Sequence, residues 1–155
     1  MNYTLTQKER MLLEDNKKHE QLCIQKYHSY ASQTPSPDLQ QLFQTHASHE
    51  EQHYNTINQL LNGQIPNVSQ QGSTQQQQQQ QMNPQPGPGN QVDAFLCNDL
   101  LNTEKYISGT YDTTIFEFTN PQVRQILNHI QKEEQKHGED LFLYMQSHNM
   151  YNPQG

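Results

Sequence analysis

Apolar residues recur at helical spacing in four stretches of this chain, set apart by turn signals and one long polar interruption. Leu5, Leu12, Leu13, Ile24, Tyr27 and Ala31 predict a first helix from about Thr6 to Ser32. Thr6 can cap it, because Glu9 stands three residues on and completes a capping box; Pro35 and Pro37 end it. Ser36-Pro37 then reads as a new start, with serine as N-cap and proline in the first turn. Leu39, Leu42, Phe43, Ile57, Leu60 and Leu61 carry the second helix to Asn62-Gly63, where Gly63 suits a left-handed C-cap. The third stripe is Val92, Phe95, Leu96, Leu100, Ile107, Tyr111, Ile115 and Phe118. Asn120-Pro121 repeats the start signal, and Val123, Ile126, Leu127, Ile130, Leu141, Tyr144 and Met145 mark a fourth helix expected to fray near Asn152-Pro153.

The two halves match at a constant offset of 84: Ser36-Pro37 with Asn120-Pro121 (120 − 36), Leu12 with Leu96, Asp15 with Asp99, and Tyr27 with Tyr111. The reading is one domain, 1–155, made of a hairpin at 6–62, a linker at 63–91 and a hairpin at 92–150. Each hairpin has a short turn, so its helices are antiparallel neighbours. The linker holds the glutamine run Gln75 to Gln81, followed by Met82-Asn83-Pro84-Gln85-Pro86-Gly87-Pro88-Gly89-Asn90. Such low-complexity sequence is expected to be disordered. It is too long for a tight turn but suits a crossover. A helix of about 27 residues is roughly 40 Å long, and extended chain covers roughly 3.3 Å per residue.

Six polar residues interrupt these stripes near their middles, in the same arrangement twice. Glu20 is followed thirty residues later by Glu50-x-x-His53, and Glu104 thirty residues later by Glu134-x-x-His137. Within an antiparallel hairpin, residues with a constant index sum lie at similar height. Glu20 with Glu50 centres on residue 35, and Glu104 with Glu134 on residue 119, both in the turns. Each carboxylate pair is therefore expected to meet near the middle of its hairpin. Four facing carboxylates are costly to bury, through desolvation and like-charge repulsion. Two divalent cations would cancel the four charges, and a neutral imidazole three residues after a glutamate adds one nitrogen ligand per metal. Protonation or a wet interior would also relieve the cost.

Other features bear on this less. Only 30% of the 155 residues are hydrophobic, with much of the deficit in the linker, so the rest can form a modest core. The net charge of −7 argues against a nucleic-acid partner or an anionic membrane surface, and metal cations would reduce it. No apolar run approaches a membrane span, and Met1 to Arg10 is too polar for a signal peptide. Cys23 and Cys97 are not equivalent in the repeat and read as small buried hydrophobes in a reducing compartment. His49-Glu50-Glu51-Gln52-His53 also fits H-E-x-x-H, the zinc-protease helix. No third ligand follows from Tyr54 through Val92, and the second copy has Glu133 in place of His49, so that reading leaves the repeat unexplained. Tyr27 and Tyr111 lie two turns beyond Glu20 and Glu104 and read as packing or as outer partners of the carboxylates. His46 is one turn before Glu50, where Ile130 is its counterpart; an outer position fits it better than a ligand role. His19, His28, His129 and His148 read as exposed or peripheral.

The motif set resembles the ferritin-like di-iron and di-manganese carboxylate proteins, such as rubrerythrins and manganese catalases. More closely, the chain is similar to the spore coat F family of endospore-forming bacteria. The resemblance rests on Glu20-Gln21-Leu22-Cys23-Ile24-Gln25-Lys26-Tyr27, on Leu96-Cys97-Asn98-Asp99-Leu100-Leu101-Asn102-Thr103-Glu104-Lys105-Tyr106, on Glu133-Glu134-Gln135-Lys136-His137-Gly138, and on the tail from Tyr144-Met145 to Met150-Tyr151. It covers both hairpins but not the Gln-rich linker. It implies an all-α, ferritin-like antiparallel four-helix bundle of two duplicated hairpins joined by a long crossover. It also implies two Mn or Fe ions, with Glu20, Glu50 and His53 on one side and Glu104, Glu134 and His137 on the other. The glutamates of helices two and four, or of one and three, would bridge. Spore-coat location follows, after cytoplasmic synthesis without a signal peptide, with other coat proteins as partners and homo-oligomerisation left open. Redox handling of peroxide or dioxygen is the implied chemistry. A purely structural coat role is the rival, in which the glutamine run makes contacts between chains.

Overall fold

A computed structural model describes residues 3–67 and 91–151. These residues form four helices: α1 (Gln7–Gln33), α2 (Pro37–Leu61), α3 (Gln91–Glu117) and α4 (Pro121–Ser147). The bounds of α1 and α3 differ by 84 at both ends (91 − 7 and 117 − 33), as do the starts of α2 and α4 (121 − 37). Most of the expected linker, including the whole glutamine run, lies outside the described residues, as does the fraying expected at Asn152-Pro153.

The local signals work as the chemistry requires. Thr6 Oγ1 accepts from the Glu9 amide at 3.1 Å, and Glu9 Oε2 accepts from the Thr6 amide at 3.0 Å, so both orphan donors are satisfied. Ser36 Oγ caps the Leu39 amide, and Asn120 Oδ1 caps Gln122 and Val123, each ahead of a proline whose missing N–H costs nothing there. Helix α2 ends at Asn62. Gly63 turns left-handed (φ 74°), and the Gln64 amide reaches back to the Gln59 carbonyl at 2.9 Å. A Cβ at Gly63 would also sit 3.0 Å from the Tyr3 carbonyl oxygen, so glycine is favoured there by space as well as by conformation.

Helix α4 ends at Ser147. Asn149 takes the left-handed turn (φ 57°), and the Met150 amide bonds the Met145 carbonyl at 2.7 Å. Asparagine tolerates this conformation better than most residues, and it does here what Gly63 does for α2. His148 is buried rather than peripheral, stacked on Tyr144 with ring centroids 4.0 Å apart.

Helix directions follow from which residues meet. Thr34 with Asp93, Tyr27 with Glu104, Glu20 with Tyr111 and Asn16 with Thr114 run in opposite senses, so α1 and α3 are antiparallel. His46 with Asp140, His49 with His137 and His53 with Glu133 make α2 and α4 antiparallel too. The C-terminal end of α2 and the N-terminal end of α3 therefore lie at opposite ends of the bundle.

The inward stripes differ from expectation at a few positions. Along α1 the buried residues are Glu9, Leu13, Asn16, Glu20, Cys23, Tyr27 and Ala31, which leaves Leu12 and Ile24 half-buried. On α3 the inward position of the first turn is taken by Asp93, which accepts from Thr34 Oγ1 at 2.6 Å. Val92 and Phe95 are thereby turned outward, Phe95 being 69% exposed. Both cysteines are free, buried and packed in the core, as expected. Among the described residues no helix is long and apolar enough to cross a membrane.

Candidate metal centre

All six expected polar residues are buried and meet at mid-height. Glu20 comes from α1, Glu50 and His53 from α2, Glu104 from α3, and Glu134 and His137 from α4. Each imidazole aims its Nδ1 at the glutamate of the other hairpin. His53 Nδ1 is 2.8 Å from Glu134 Oε1, 3.3 Å from Glu50 Oε2 and 3.6 Å from Glu20 Oε1. His137 Nδ1 is 2.8 Å from Glu50 Oε1, 3.4 Å from Glu104 Oε1 and 3.8 Å from Glu134 Oε2. The donor atoms form two overlapping groups, each within 4.8 Å: Glu20, Glu50, His53 and Glu134, and Glu50, Glu104, Glu134 and His137. Glu50 and Glu134 belong to both.

The tyrosines stand outside this cluster and touch it. Tyr111 Oη donates to Glu20 Oε1 at 2.5 Å, and Tyr27 Oη donates to Glu104 Oε1 at 2.6 Å. Each fixes one oxygen of its carboxylate. The other oxygens, Glu20 Oε2 and Glu104 Oε2, together with Glu134 Oε2, are buried with no hydrogen-bond partner among the described residues. Such orphaned oxygens are expensive in a packed interior. Carboxylate and imidazole donors with lone pairs to spare suit divalent Mn or Fe, without choosing between them.

The electrostatics show how the cluster stands without cations. Burial, then the Glu50 charge, pushes the Glu20 carboxyl up to about 8. Burial and the charges of Glu50, Glu104 and Glu20 raise Glu134 well above the usual range. Burial pushes Glu50 upward as well, but hydrogen bonds with Glu20, His137 and His53 outweigh it and hold Glu50 well below the carboxylate range. Burial opposes a charged His53, yet the Glu20 charge and the bonds to Glu133 and Glu134 raise it well above an ordinary histidine. His137 is likewise driven down by burial and up by Glu104 and Glu50, ending at about 10. Protons held within the cluster by Glu20, Glu134, His53 and His137 thus offset much of the like-charge repulsion. Any cation entering must displace these protons.

Several residues beyond the six surround the cluster; His49, Glu133 and His129 take places there that the sequence pattern does not assign, and His46 takes the outer position expected of it. His49, the odd residue of the H-E-x-x-H match, lies in neither donor group; its Nδ1 sits 3.0 Å from His137 Nε2. Glu133, its counterpart at offset 84, sits 3.0 Å from His53 Nε2. His129 holds Glu133 at 2.5 Å and so belongs to the outer environment of the cluster. His46 is buried beside Tyr27 and Asp140, each at 3.2 Å, and stacks on His137 with centroids 4.1 Å apart. The usable signal was position: His49 and Glu133 both stand four residues before a candidate ligand histidine.

The described residues therefore form four helices around a buried cluster able to hold a metal ion. Residues 92–154 match the family model of the Coat F domain. The match covers α3, α4 and the tail, whereas the sequence resemblance extended to the first hairpin as well. No curated protein and no solved structure matches the chain.

Proposed function

We propose that this chain is a ferritin-like protein of the spore coat that holds two divalent Mn or Fe ions between its helices. The Coat F match over the second hairpin supports the coat assignment, with other coat proteins as partners. The observation that carries the metal reading is the pair of overlapping donor groups with orphaned oxygens on Glu20, Glu104 and Glu134. In this reading Glu50 and Glu134, shared by both groups, would serve both ions. Glu20 and His53 would hold one side, and Glu104 and His137 the other. The shared glutamates support helices two and four among the alternatives left open by spacing.

A bound Mn or Fe pair would supply electron transfer to or from peroxide or dioxygen. The chain's own residues set the conditions for it. Tyr111 and Tyr27 orient the Glu20 and Glu104 carboxylates, each holding one oxygen and leaving the other free. Apolar layers above and below, among them Leu13, Phe43, Leu100 and Leu127, keep bulk water out.

A second reading is a structural coat protein with no resident metal. The electrostatics favour it: the upward shifts of Glu20, Glu134, His53 and His137 keep protons within the cluster, which offsets its buried charge without cations. Elemental analysis of the purified chain separates the two, run on wild type beside Glu50→Ala/Glu134→Ala after growth with both metals. About two Mn or Fe per wild-type chain, lost in the variant, supports the metal reading. Negligible metal in both leaves the structural role.

A further inference from the structure

The repeat at offset 84 makes the bundle its own control, because each feature of one half can be compared with its counterpart. The glutamates and histidines of the cluster match one for one. The tyrosine supports match as well, at 2.5 Å on Glu20 and 2.6 Å on Glu104. The symmetry fails behind the rings. His53 Nε2 faces the carboxylate of Glu133 at 3.0 Å, whereas His137 Nε2 faces the imidazole of His49 at 3.0 Å. Glu133 is anchored in turn by His129, whose counterpart is Thr45. The rings of His46 and His49 stack on His137, at 4.1 Å and 5.2 Å between centroids. Asp140, the carboxylate on that side, faces His46 and lies one ring further away from His137.

A histidine that ligates through one nitrogen usually donates its other N–H to an oriented partner, and that partner sets its basicity. A carboxylate raises electron density on the ligating nitrogen and brings negative charge close to the cation. A neutral imidazole accepts the same hydrogen bond with no charge.

We propose that the two half-sites are unequal: the one built on Glu20 and His53, backed by Glu133, takes a divalent cation first and more tightly than the one built on Glu104 and His137, backed by His49. The inference rests on the two-metal reading above. It assigns Glu133 and His49 as positioning residues that divide filling into two steps, with Glu50 and Glu134 common to both.

The test is a titration of metal-free protein with Co²⁺, followed by calorimetry and by visible absorbance. Wild type is expected to bind in two resolved steps. Glu133→Gln should weaken the tighter step about 10–100-fold and leave the weaker one in place. His49→Glu, which installs the counterpart carboxylate, should strengthen the weaker step and draw the two together. Circular dichroism checks each variant for folding, and His49→Glu carries the test alone if Glu133→Gln does not fold. A single unresolved step in wild type overturns the inequality while leaving the metal reading intact. So does a tighter step untouched by Glu133→Gln, or a weaker step left unchanged by His49→Glu. No Co²⁺ bound by wild type, or binding that survives Glu50→Ala/Glu134→Ala, overturns both.

Discussion

The middle of the bundle and its ends occupy the same inward stripes, yet they are built on opposite principles. At the ends, Phe43, Leu39, Leu60 and Phe118 are fully buried and need only shape. At the middle, Glu20, Glu50, Glu104 and Glu134 are buried equally deeply and need partners for their charge. Stability should therefore reside in the ends, and ligand chemistry in the middle, because apolar burial drives folding whereas buried ionic groups rarely repay their desolvation.

Truncation at an end tests that division most severely. Phe43→Ala should cost about 3–5 kcal/mol of stability in denaturant unfolding, while metal per folded chain stays at the wild-type level. An equal loss of metal would mean that the two regions are not separable.

Titration sharpens it next. In metal-free protein, folded Glu20 keeps its proton up to about 8, whereas the unfolded carboxyl loses it near its ordinary value of 4.5. Folded His137 keeps its proton up to about 10, against 6.5 unfolded. In both cases the folded state binds the extra proton. The stability from Glu20 is complete below 4.5 and erodes as pH rises through about 8. That from His137 is complete below 6.5 and is lost through about 10. Metal-free protein is thus expected to lose thermal stability from neutral to alkaline pH. Metal affinity should rise over the same window, because cations compete with those protons. A Tm independent of pH between 6 and 10, roughly the window of these two groups, would remove the protonated cluster from the argument.

A smaller effect is expected from Glu20→Gln. The amide resembles the protonated carboxyl and can still accept from Tyr111, so metal-free stability should change by about 1 kcal/mol or less. Metal affinity should nevertheless fall, since an amide brings no charge. Thr6→Ala, at a cap remote from the cluster, should cost about 1 kcal/mol and leave metal binding untouched. Thermal melts with and without Mn²⁺ read both variants.

Much of this was legible beforehand because helix periodicity is a local property. Thr6 and Glu9, Ser36-Pro37, Asn120-Pro121 and Gly63 each act through backbone groups within a few residues, and each stands where expected. Where local signals competed, the reading slipped. Val92 and Phe95 look like core by hydrophobicity, but Asp93 takes the inward position because Thr34, at the end of α1, satisfies it. His148 looks peripheral until it stacks on Tyr144.

Spacing along a helix dictates face and height, so the helices, the polar layer at mid-height and its six residues can be read from the chain. Which glutamates are common to both donor groups, which oxygens the tyrosines leave free, and what stands behind each imidazole emerge only once the helices pack. Those depend on the rotation and register of α2 against α4 and of α1 against α3, and are set by packing of the whole bundle. Offset 84 pairs His49 with Glu133 on paper. That His49 backs the ring of His137, and Glu133 that of His53, is a fact of three dimensions.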